Sequence, residues 1–147
     1  MLRPTALSLV ALAACGAVLA GCGFVGAADV SDQKPNGFVL RGHVSVPVST
    51  GGTQSEGATC DSPVPDVAPN GEVKVTDPQG RQIAVGYLGD GVVGSDSSGT
   101  TCDFPFEIPQ VPGGVTSYGI AVAGRAAQSF AATALRENQQ AVISLRP

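Results

Sequence analysis

From residue 38 onward the chain alternates. In FVLRGHVSVPV, Phe38, Leu40, Val44, Val46 and Val48 share one parity, while Arg41, His43 and Ser45 share the other. Apolar residues held to one parity of a two-residue period predict a half-buried strand. Residues 72–76 (EVKVT) predict a second strand with Val73 and Val75 inward, and residues 81–88 (RQIAVGYL) a third with Ile83, Val85 and Tyr87 on one face. Between them lies Asp77-Pro78-Gln79-Gly80. Proline presets φ at the second position of a tight turn and glycine suits the fourth, so the two strands form a hairpin. The sharpest alternation places Cys102, Phe104, Phe106 and Ile108 against Asp103, Pro105 and Glu107. Pro105 has no amide proton, which predicts a sheet edge or a bulge at that position.

After Pro112-Gly113-Gly114, residues 117–124 (SYGIAVAG) predict a strand with Tyr118, Ile120 and Val122 inward, and residues 141–145 (AVISL) a last short one. Residues 126–140 fit a strand around Phe130, a helical turn, or both. Two stretches break the pattern. Residues 49–71 hold four glycines and three prolines, and residues 89–101 (GDGVVGSDSSGTT) predict a mobile Gly/Ser loop. Six or seven short strands joined by Gly/Pro turns argue for an all-β fold, an antiparallel β-sandwich over residues 38–147, with a small β-barrel as the alternative.

The N-terminus follows a different rule. One positive charge, Arg3, precedes the apolar run ALSLVALAACGAVLA (residues 6–20), and no further charge occurs before Asp29. A basic start, an apolar run and small residues at its end predict a cleavable signal peptide over residues 1–21. The run is shorter than the ~20 residues of a membrane span. It ends Leu19-Ala20-Gly21-Cys22, which resembles the bacterial lipobox, in which the cysteine is lipidated and then becomes the new N-terminus. Leu12-Ala13-Ala14-Cys15 fits the same loose pattern, but the apolar run continues through Ala20, which favours Cys22. Two acyl chains on that thiol would give a durable anchor where one would be marginal. Residues 22–37, ending Pro35-Asn36-Gly37, then read as a tether. The expected location is the extracytoplasmic face of the cell membrane.

With Cys15 removed and Cys22 lipidated, Cys60 and Cys102 remain as an even pair, expected as a disulfide in an oxidising compartment. Such a bridge would tie the long first loop to the aromatic strand.

The chain carries 8 Lys+Arg against 12 Asp+Glu, a formal charge of −4, and loss of Arg3 makes the mature form more negative. There is no basic run, so nucleic acid is not an expected partner. A single histidine, His43, and the absence of a Gly-x-Ser-x-Gly elbow leave no recognisable catalytic set. Asp90, Asp96 and Asp103 lack the spacing of a compact calcium loop. No cofactor or metal is expected, and Tyr118 and Arg125 read as packing residues rather than ligand contacts.

From Gly71 onward the order of motifs resembles a group of secreted and lipid-anchored two-cysteine proteins of actinobacteria. It rests on Cys102, Phe104, Phe106, Val111, Pro112, Tyr118 and Gly119 in a C-x-F-x-F strand, a VP step and a Tyr-Gly strand. Val73, Val75, Asp77 and Gly80 are also similar to a strand of transthyretin-like, or carboxypeptidase-regulatory-like, sandwich modules. The chain departs from the group around Cys60, where Pro and Asp replace a Gly/Tyr-rich stretch. The resemblance implies fold and location, and no activity. The sequence therefore predicts a non-enzymatic envelope module that binds or scaffolds a partner, an envelope protein or a glycan, besides the membrane itself. A carrier of lipid or small hydrophobic ligands is the alternative, and a hydrolase using His43 the third reading.

Overall fold

The computed structural model describes residues 36–49 and 54–146. The predicted leader 1–21, Cys22 and nearly all of the predicted tether lie outside the described residues. The described chain runs β1 (Phe38–Pro47), β2 (Glu72–Thr76), β3 (Gln82–Tyr87), β4 (Val92–Asp96), β5 (Gly99–Val111), β6 (Ser117–Val122), β7 (Gln128–Ala131), α1 (Ala132–Arg136) and β8 (Ala141–Ser144). The strands form two four-stranded sheets, ordered β4-β5-β1-β8 (sheet A) and β3-β2-β6-β7 (sheet B). The predicted all-β sandwich is present, and the sheets do not close into the alternative barrel.

Each sheet turns its apolar parity toward the other. Sheet A supplies Leu40, Val44, Val46, Cys102, Phe104, Phe106, Ile108 and Ile143, and sheet B supplies Val73, Val75, Tyr118, Ile120 and Val122. Full burial of one such aliphatic or aromatic side chain contributes roughly 1.5–3 kcal/mol, which makes this interlayer the main stabilising element. Leu135 of α1 adds to it. Residues 126–140 thus contain both predicted elements, the strand at Phe130 and a helical turn.

Three features differ from the sequence-based expectation. First, the strand set includes β4, which lies inside the segment predicted as a mobile loop. Asp96 makes this possible: its Oδ1 accepts the amide protons of Ser98 and Gly99, closing a tight turn that returns the chain into β5. Second, β8 pairs with β1 in parallel, Gly42 opposite Ala141, so the sandwich is not wholly antiparallel. A β-carbon on Gly42 would lie 2.5 Å from Phe106 Cζ, so only glycine admits this approach. Third, β3 turns its smaller parity, Ala84 and Gly86, inward opposite Val75 and Val73. Ile108 of sheet A occupies the space a Gly86 side chain would need. Val85 and Tyr87 therefore face outward, while Ile83, beside the register shift at Val75/Thr76, packs partly against the core.

Pro105 meets its predicted condition locally. Its carbonyl accepts the Gly89 amide at 2.7 Å, and a strand residue's N and C=O point to the same side. The ring nitrogen thus faces away from β1, beyond the last β4 pair at Val92–Asp103. No ladder bond is lost.

The cysteine pairing holds: Cys60 and Cys102 are disulfide-bonded, with Cα atoms 5.9 Å apart. The bridge acts with backbone bonds from Gly57 to Val93, Val93 to Ala58 and Cys60 to Gly91, which lay the first loop along β4. Val64 and Val67 of the same loop enter the core.

Candidate functional site

The register of sheet A defines its outer face row by row. Glu107 lies opposite Arg41, Pro105 opposite His43, Asp103 opposite Ser45, and Thr101 opposite Pro47. On the far side of β1, Val142 pairs with His43 and Ser144 with Ser45. Beyond β5, Val92 pairs with Asp103 and Gly94 with Thr101. These are the positions that alternation leaves out of the core, and a solvated face would be expected to be polar throughout.

It is not. The exposed large hydrophobic residues among the described residues are Tyr87 at 62 %, Val142 at 45 % and Val92 at 37 % exposure. Val142 and Val92 lie on this face. Tyr87, the last residue of β3, reaches its border and lines a groove of about 420 Å³ that opens to solvent. Arg41, His43, Pro105, Glu107, Gly89 and Gln140 complete most of the lining. The volume is within the range of small-ligand sites. Arg41 Nε donates to Glu107 Oε2 at 2.9 Å, and the two side chains stay 50 % and 58 % exposed. A guanidinium has five N–H donors and a carboxylate about four acceptor positions, so one such contact leaves capacity for a further partner.

The same face holds both buried polar atoms that have no hydrogen-bond partner among the described residues, Thr101 Oγ1 and Asp103 Oδ1. Thr101 is 1 % exposed although its parity is opposite the core, and Ser45 is also buried. The Asp103 and Thr101 side chains converge over Gly94, where an added β-carbon would run into the Asp103 carboxylate and approach Thr101 Oγ1 to 3.2 Å. Most buried polar groups in folded proteins are paired, so two exceptions on one face mark it as atypical.

His43 shares this face with Ser45 and Asp103, the residue types of a nucleophilic triad. The register separates them: positions two apart on one strand, or diagonal across a pair, stand about 7–8 Å apart. Among the described residues His43 makes no side-chain hydrogen bond to either. The hydrolase reading therefore gains no nucleophile–base contact. No group of three or more His, Cys, Asp or Glu side chains among the described residues is placed to hold a metal. Asp96 serves the β4–β5 turn, with its carboxyl held below the usual range by hydrogen bonds from the Ser98 hydroxyl and amide.

Tyr118 and Arg125 were expected to pack. Tyr118 is fully buried, its hydroxyl donating to the Pro112 carbonyl at 2.8 Å and its ring 5.4 Å from that of Phe38. Burial pushes its phenol above the usual value, against a smaller opposing effect of Arg136. Arg125 donates its backbone amide to Val122 in the turn after β6. Cys22 lies outside the described residues.

As a candidate for chemistry, the sequence offers only His43 of the groove residues. Arg41, Tyr87, Glu107 and Gln140 come from four separated stretches, and the available hint was an aromatic residue on a strand whose smaller parity could go inward. Among the described residues no helix is long and apolar enough to cross a membrane. No protein-family model, no curated protein and no solved structure matches this chain.

Proposed function

We propose that this protein is a lipid-anchored, non-enzymatic module of the cell envelope, and that the outer face of sheet A is the surface with which it binds. The observation that carries the binding reading is the gathering of Val92, Val142 and the Tyr87 groove on one side of the molecule. Val92 and Val142 lie on the two edge strands of this sheet, and the groove beside them combines an exposed aromatic ring with a few convergent polar side chains, the usual make-up of a ligand site. The anchor is supported by the charged start, the apolar run and Leu19-Ala20-Gly21-Cys22. A sandwich stapled by Cys60–Cys102 suits an oxidising compartment.

The carrier alternative requires an internal apolar cavity. The space between the sheets is occupied by Tyr118, Phe104, Leu40, Ile108 and Ile120, while the groove opens on the outside. The surface-binding reading is the better supported of the two.

Each half has its own test. Intact-mass analysis of the natively made protein is expected to show a chain that starts at Cys22 and bears a diacylglyceryl group; a retained leader or an unmodified Cys22 removes the anchor. For the binding face, a photo-crosslinking amino acid at position 142 in cells is expected to give adducts, and one at position 121, on the outer face of sheet B, is not. Equal labelling from both positions, or none from position 142, removes the binding face.

A further inference from the structure

We propose that the groove framed by Tyr87, the Arg41–Glu107 pair and Gln140 binds a neutral saccharide unit of a glycan chain. The inference rests on the binding-face reading and names its ligand class. Tyr87 is 62 % exposed and lines the groove, which leaves its aromatic side chain open to a ligand. Around it stand a guanidinium that only donates, a carboxylate that only accepts, an amide that does both and an imidazole, from Arg41, Glu107, Gln140 and His43. A pyranose ring has the complementary surface: a C–H face that packs on an aromatic ring, edged by hydroxyls that each donate and accept.

Other ligand classes fit less well. A phosphate or carboxylate would meet Arg41, but Glu107 Oε2 lies 2.9 Å from its Nε, so attraction and repulsion nearly cancel. A hydrocarbon tail would have to desolvate four polar side chains without offering them hydrogen bonds, which is costly. An extended peptide usually docks by adding to an open strand edge. At this site that mode is closed for β1, which is paired on one side with β5 through Arg41 and His43 and on the other with β8 through His43. Within the groove, a ligand meets the side chains of Arg41, His43, Glu107 and Gln140. The groove is open to solvent rather than enclosed, which lets a polymer pass across it.

The chain itself supplies the reporter. It has two tyrosines and no tryptophan. Tyr118 is buried and hydrogen-bonded within the core, so a ligand-dependent change in tyrosine fluorescence belongs to Tyr87. The full chain, purified in detergent, is titrated with neutral gluco-, manno-, galacto-, arabino- and N-acetylglucosamine hexasaccharides. Binding of at least one, with Kd on the order of 0.1–1 mM by fluorescence and calorimetry, is expected. Tyr87→Ala and Arg41→Ala should each weaken it about tenfold or more, and Val92→Ser, on the same face outside the groove, should leave it unchanged. Absence of binding by all five, or equal affinity in Tyr87→Ala with a native circular dichroism spectrum, overturns the saccharide inference. Adducts from position 142 that are proteins, together with no hexasaccharide binding, would leave the binding face standing and remove only its glycan ligand.

Discussion

β1 and β5 in sheet A and β2 and β6 in sheet B have the same construction, apolar on the inner parity and mixed on the outer. Their outer surfaces nonetheless differ. Sheet B shows the solvent Glu72 and Lys74 as an ion pair, with Thr76, Ser117, Gly119, Ala121 and Ser129 around it. Small and polar side chains cover most of it, and Val85 at its edge is half-buried. The one large exposed hydrophobic residue among its described positions, Tyr87 opposite Glu72 at the end of β3, is the one that turns toward the groove. Sheet A shows Val142, Val92 and the Tyr87 groove, and the two buried polar atoms that have no hydrogen-bond partner among the described residues. A surface needed only for solubility looks like the first. Departures from that pattern on one face, with the core unaffected, separate what holds this fold together from what it presents to a partner.

Perturbing the shared core should affect stability most and reveal least about the faces. Replacing Cys60 and Cys102 by alanine is expected to cost about 4 kcal/mol for a loop of this length, read by urea unfolding. A loss below about 1 kcal/mol would mean that the backbone bonds to β4 already hold the first loop in place. Tyr118→Phe removes the bond to Pro112 and should cost about 1–2 kcal/mol. It should also remove an alkaline limb. A phenol raised by burial stabilises the fold below its ordinary value of 10.0, and that contribution is lost as pH rises through the folded value. An unchanged alkaline limb in the variant would show that Tyr118 does not set it.

Thr101→Val addresses the outer face of sheet A directly. Replacing a buried hydroxyl without a partner by a group of similar shape should stabilise by about 1 kcal/mol in thermal unfolding. A loss of that size would instead show that Thr101 Oγ1 has a partner in solution, and the contrast between the faces would weaken.

Asp77 is a control on the sheet B side. Burial raises its carboxyl, but amide bonds from Arg81 and Gln79 and the Arg81 guanidinium outweigh this and hold it below the usual value of 3.8. Its contribution is therefore full above that value and is lost as pH falls through the lower, folded one. Asp77→Asn should flatten the acid limb of stability below about pH 4 without altering ligand binding. An unchanged limb would assign it to another carboxylate. The smallest stability effect is expected for Tyr87→Ala, within about 0.5 kcal/mol, because the ring is mostly exposed. A larger loss would make Tyr87 a packing residue, and the two faces would then differ less than their exposures suggest.

Much of this architecture was legible in the chain because strand alternation is local. The parity of Leu40, Val44 and Val46, that of Phe104, Phe106 and Ile108, and the turn from Asp77 to Gly80 could be read without knowing any neighbour. The pairing of Cys60 with Cys102 was expected from counting thiols with Cys15 and Cys22 assigned to the expected leader and anchor, and the structure has it. β4 was not legible, because Gly94, Ser95 and Asp96 leave it only two apolar residues, Val92 and Val93. It exists because the Asp96 turn folds it onto β5 and residues 57–60 cover its other edge.

What the sequence determined by itself is therefore the set of two-faced strands, most of their turns and the thiol pair, since each depends on residues close in the chain or on a count. Which face of β3 turns inward was decided only in three dimensions, by the bulk of Ile108 in the opposite sheet. The groove was decided the same way. Residues 41, 87, 107 and 140 meet there because two sheets and a parallel last strand bring distant backbones side by side, and no local period encodes that meeting.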